Sequence, residues 1–146
     1  MKIKRILHKQ CQEFLDKRLA GINRTITDIQ NSLQSETKSS AGDKHETGRA
    51  MLQLEREKAG QQLAEVQKLQ ETLKKIKLSN TSTKVILGSL VYTSGFNYFI
   101  AISAGEMTVE REKFYAISPL TPIGKLLMST EIGDSIHFRN STFKII

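Results

Sequence analysis

Asp43 and Glu46 stand three residues apart in the stretch Ser39-Ser40-Ala41-Gly42-Asp43-Lys44-His45-Glu46-Thr47-Gly48-Arg49. On a helix this spacing sets two side chains on the same side of a turn. Paired carboxylates suit a hard cation such as Mg²⁺, which takes oxygen ligands and keeps several waters. Two residues leave such a site incomplete, so its chemistry requires a second molecule to supply the remaining ligands. The same spacing fits a capping box, in which an Asp at a helix start and a Glu three residues on each satisfy a backbone N–H. Spacing alone leaves both readings open. Lys38, Lys44, Arg49, Arg56 and Lys58 surround the pair. Together they suit the phosphates of a nucleic acid; taken singly, each reads equally as a solvated side chain.

Other chemistries find little support. His8, His45 and His137 are far apart and show no ligand spacing. The single cysteine, Cys11, excludes an internal disulfide and a cysteine-rich zinc site. It falls four residues before Leu15 on an apolar face, the place of a small core residue. No Gly-rich phosphate loop, Ser/His/Asp order or Cys/His pair stands out. The N-terminal segment lacks the apolar core of a secretory signal, and no apolar run is long enough to span a bilayer. A cytoplasmic protein without membrane contact is expected.

The elements that must position the acid pair are legible in the periodicity. Leu15, Leu19, Ile22, Ile26, Ile29 and Leu33 step by alternating fours and threes, the seam of a coiled coil. Leu52, Ala59, Val66 and Leu73 follow at sevens, with Leu63, Leu69 and Ile76 beside them. Neither stripe can be buried alone, and Ser35–Gly42 is short and polar. An antiparallel hairpin over 1–78 is predicted, its turn and acid pair near 39–49, with arms of about 45 Å at the α-helical rise.

After residue 78 the character changes. Both prolines, Pro119 and Pro122, and eight of the nine aromatics lie there. Ser79-Asn80-Thr81-Ser82-Thr83 reads as a linker. Residues 84–146 read as a small, mostly antiparallel sheet domain with strands near 84–87, 90–92, 98–101, 114–117, 136–138 and 143–146. One short helix is predicted from Pro122 to Met128, and a turn at Gly133-Asp134. The fold class is therefore α+β. Of the +7 net charge, residues 1–78 carry 16 Lys and Arg against 10 Asp and Glu, and the remainder 6 against 5. The excess suggests a polyanionic partner for the first half.

Two stretches carry a resemblance to the Gre transcript cleavage factors of bacterial RNA polymerase. The family's hairpin turn has Gly-Asp, two residues, then Glu, matched in spacing and place by Gly42-Asp43-Lys44-His45-Glu46. Its C-terminal segment, of the type Ser-Pro-Ile-Gly-Lys followed at a distance by Val-Gly-Asp, is similar to Thr121-Pro122-Ile123-Gly124-Lys125 and Ile132-Gly133-Asp134 here, without a gap. The resemblance implies an FKBP-like C-terminal domain that docks at the mouth of the polymerase secondary channel, with Ile123 and Leu126 as candidate contacts. It implies that Asp43 and Glu46 help bind or position an Mg²⁺ shared with the polymerase, so that the backtracked RNA 3′ end is cut. Lys38, Lys44, Arg49 and Arg56 would meet the RNA. On this view the chain is a monomer that holds no cofactor alone and is not itself an enzyme. The family usually has Leu-Ser between the acids and Asn-Ala-Glu-Tyr after them; here stand Lys44-His45 and Thr47-Gly48-Arg49-Ala50. Those differences leave room for a secondary-channel regulator without cleavage activity. The hairpin alone also fits a coiled-coil adaptor or holdase, and the FKBP analogy a prolyl isomerase, although no aromatic pocket is evident.

Overall fold

A computed structural model describes the backbone of residues 2–38 and 42–146 and the side chains of residues 2–35 and 47–146. Two long helices, α1 (Lys2–Lys38) and α2 (Gly42–Lys75), form the N-terminal helical hairpin. At 1.5 Å per residue they measure about 55 and 50 Å. They are followed by β1 (Leu90–Val91), β2 (Tyr98–Ile100), β3 (Gly105–Val109), β4 (Glu112–Ile117), α3 (Pro122–Leu127), β5 (Ser135–Phe138) and β6 (Ser141–Lys144). The α+β class is as expected.

The chain divides into two compact units, Leu15–Leu69 and Met1–Phe14 with Gln70–Ile146. In the first, the buried apolar residues are Leu15, Ile22 and Ile29 on α1 and Ala59 and Val66 on α2, all at heptad steps. That is the narrow stripe of a coiled coil, with Leu19, Ile26, Leu33, Leu52 and Leu63 half-buried at its margins.

In the second unit the roots of both helices join the sheet. The order is β1-β2-β4-β3, with β2 and β4 parallel and the other neighbours antiparallel; β5 and β6 form a separate hairpin. Side chains alternate between faces along each strand, and the register distributes them cleanly. Tyr98 and Ile100 share a face with Tyr115 and Ile117. They pack with Val85, Val91, Leu127, Ile136 and Ile145 into one core cluster. Phe99, Phe114, Ala116, Met107 and Val109 fall on the other face and are also buried. The root of α1 runs along β3, where Gln10 Nε2 donates to the Thr108 carbonyl (3.4 Å) and Lys2 pairs with Glu110 (3.2 Å). At the root of α2, His8 Nε2 lies 2.9 Å from the Leu73 carbonyl and so donates to an end-of-helix acceptor.

Three details differ from the sequence expectation. The parallel β2–β4 pair makes the sheet mixed. Gly105–Val109 forms an unforeseen edge strand. Residues 84–87 are not a strand: Val85 exchanges hydrogen bonds with Ser129 and Thr130, and a turn closes from Ile86 to Ser89. A buried apolar run without a regular ladder satisfies its backbone groups through loops instead.

Candidate functional site

α2 begins at Gly42, so Asp43 lies in its first turn and Glu46, the fifth helical residue, opens its second. Acidic residues this close to a helix start are favoured by the positive end of the helix macrodipole. Lys44 shares the first turn, and Lys38 is the last residue of α1. The side chains of all four lie outside the described residues, as do the contacts that separate a capping role from cation binding. Arg49 is exposed on α2. Arg56 is half-buried, its guanidinium lying back over Gly60: a Cβ there would meet Arg56 Nη1 at 3.1 Å. Three residues before buried Ala59, Arg56 occupies the apolar seam rather than the solvated face. Among the described residues no cluster of three or more His, Cys, Asp or Glu could hold a metal. With two carboxylates in this stretch of the sequence, Mg²⁺ would have to take further ligands from elsewhere.

The C-terminal stretch has a local explanation at nearly every position. Thr121 caps α3: its Oγ1 accepts from Gly124 N (3.1 Å) and donates to the Ser118 carbonyl (2.7 Å). Pro122 stands at the first helical position, where no N–H is required. Gly124 is buried so close to the chain that a Cβ would collide with the Ser118 carbonyl oxygen. Gly133 adopts φ +96°, and Asp134 closes the turn by accepting from Glu131 N at 2.8 Å. Ile123 packs against the core cluster, whereas Leu126 is 42% exposed. Of the two proposed docking contacts, Leu126 alone presents a substantial apolar surface. Sequence reasoning missed Leu120 and Ile132, which are more exposed still.

A groove of about 530 Å³ runs between residues 82–85, β1 and the C-terminal Ile145-Ile146. Its walls mix aliphatic and polar side chains, with Tyr92 the aromatic among them. Burial, aided by the negative charge of Glu112, pushes that phenol's pKa up, so it stays neutral at ordinary pH.

The positive charge is distributed less simply than a two-half division suggests. Leu15–Leu69 carry nine Lys and Arg against eight Asp and Glu, whereas the helix roots, residues 1–14 and 70–78, carry seven against two. The excess sits at the roots and not around the hairpin turn. A finer count along the sequence would have found it, since four basic residues fall within 1–9 and three within 74–77.

Hairpin and mixed-sheet domain together define an α+β protein of two compact units. No family model and no curated protein matches the chain. Among solved structures it is similar to that of the transcription factor Gfh1, at 19% sequence identity and a TM-score of 0.36, covering 91% of this chain and 89% of that one. No helix among the described residues is long and apolar enough to cross a membrane.

Proposed function

We propose that this protein binds RNA polymerase at its secondary channel and stimulates cleavage of backtracked RNA. The observation that carries the reading is the acid pair, Asp43 and Glu46, within the first five residues of the second arm of a long helical hairpin. Two carboxylates make a poor cation site alone but a useful half of one. A polymerase active centre supplies what is missing: acids of its own, Mg²⁺ and a phosphodiester. Asp43 and Glu46 would then help hold a second Mg²⁺ and its water for attack on the RNA backbone, the polymerase's own acids holding the first metal. The chain completes an active site without being an enzyme itself. Leu126, with neighbouring Leu120, is the docking surface of the C-terminal domain, and Ile123 supports it from within.

Adding the protein to stalled, backtracked polymerase is expected to shorten the RNA. Asp43→Ala and Glu46→Ala are expected to slow the shortening strongly while polymerase binding persists. Cleavage by the double variant at the parent's rate would reduce the acids to helix caps.

A second reading, a channel regulator without cleavage, is favoured by Lys44, which stands between the acids in the sequence and adds a positive charge next to them. Polymerase binding with no RNA shortening at any Mg²⁺ concentration would select it.

A further inference from the structure

We infer that the concavity between the first turn of α1 and residues 77–90 binds a phosphoanion the size of pyrophosphate, free or carried by a nucleotide. The cavity measures about 170 Å³. This is room for roughly five waters at about 30 Å³ each, and so for two joined phosphate groups.

Its walls are those of an anion site. Lys4 and Lys77, far apart in sequence, both line it, and no Asp or Glu among the described residues does. Lys4 reaches across to the Asn80 carbonyl at 3.5 Å, which leaves its ammonium largely uncommitted. Ser82 and Ser89 also line the space. Each hydroxyl oxygen accepts from a backbone N–H: Ser82 from Lys84 (3.2 Å) and Ser89 from Ile86 (2.8 Å). An accepting hydroxyl keeps its own hydrogen to donate. The pocket therefore offers two cations and two hydroxyl groups that each retain a proton to donate. Charge-assisted hydrogen bonds of this kind are the strong ones.

The surroundings reinforce the sign. Arg5, Lys9, Lys74 and Lys75 lie on the same helix roots, with no ion pair among the described residues, whereas Lys2 is taken up by Glu110. An excess of seven cations over two acids on these roots raises the local concentration of anions. The site shares no residue with the acid pair, so either assignment can fail without the other.

The test is a calorimetric titration of the full chain with pyrophosphate at fixed ionic strength. Saturable one-to-one binding is expected, weakened about tenfold or more in the Lys4→Gln/Lys77→Gln variant. Lys144→Gln, on β6, is expected to bind as the parent does. If the double variant loses its fold by circular dichroism, Lys77→Gln alone, at an exposed position outside any helix or strand, reads the same loss. ADP as a second probe separates the sources: tighter binding than pyrophosphate assigns a nucleotide, equal or weaker binding the free anion. Heat no larger than that from matched potassium chloride, or affinity unchanged in the lysine variants, would overturn the inference.

Discussion

The two stretches that resemble one family do different physical work. Thr121–Asp134 is occupied with building the domain: a cap, a helix-starting proline, a glycine pressed against a carbonyl and a second glycine with positive φ. Gly42–Glu46 opens the second helix, a start that Ser, Thr or Asn caps as well as Asp does. A pattern demanded by folding says which fold is present; a pattern that folding does not demand is the better pointer to function. Stability and activity should therefore separate between the two stretches.

The largest effect is expected at the hairpin turn. Asp43→Ala/Glu46→Ala should lower RNA cleavage by about a hundredfold, the scale of losing a positioned catalytic group. Its unfolding free energy in urea should stay within about 0.5 kcal/mol of the parent, the outcome expected where no cap or core contact is lost. A large loss of stability there would erase the contrast. Gly124→Ala should do the reverse, costing about 2–3 kcal/mol in the same urea titration because a methyl group must displace backbone.

Two further tests sharpen the division within the root and the sheet. Burial pushes the Cys11 thiol from 9.0 up to about 12. The folded chain thus keeps a proton that the unfolded chain releases, so this contribution is intact below pH 9.0 and is lost as pH rises toward 12. Unfolding titrations of the parent and Cys11→Ala should diverge above pH 9, with the parent falling faster. The smallest effect concerns the β3–β4 turn, where Glu110 and Arg111 both hold positive φ, +50° and +70°. Arg111→Gly should stabilise by about 0.5 kcal/mol. Relief of left-handed strain there exceeds the added freedom of an unfolded glycine. A fall in the thermal midpoint would show that Arg111 holds the hairpin by contacts of its side chain.

Much of the fold was legible because its signals are local. Heptad steps from Leu15 to Ile29 and from Ala59 to Leu73 mark positions that are buried, and Pro122 and Gly133 sit where their backbone chemistry requires. The edge strand Gly105–Val109 was not legible, since Met107 and Val109 are its only buried residues and its outer positions are polar. Val85-Ile86-Leu87 carried the composition of a strand but found no partner strand, because strand composition reports burial more than pairing. For the candidate site, the spacing of Asp43 and Glu46 could be read directly. That Ile123 points inward while Leu126 stays exposed could not.

The sequence by itself determined the hairpin, the change of character near residue 78 and the identity of the acid pair, because periodicity and turn chemistry act between near neighbours. Tertiary structure alone decided the parallel pairing of β2 with β4, the grouping of the helix roots with the sheet and the meeting of Lys4 with Lys77. Each joins segments whose attraction depends on which surfaces remain to be buried once the local elements exist, and no short window of residues records that.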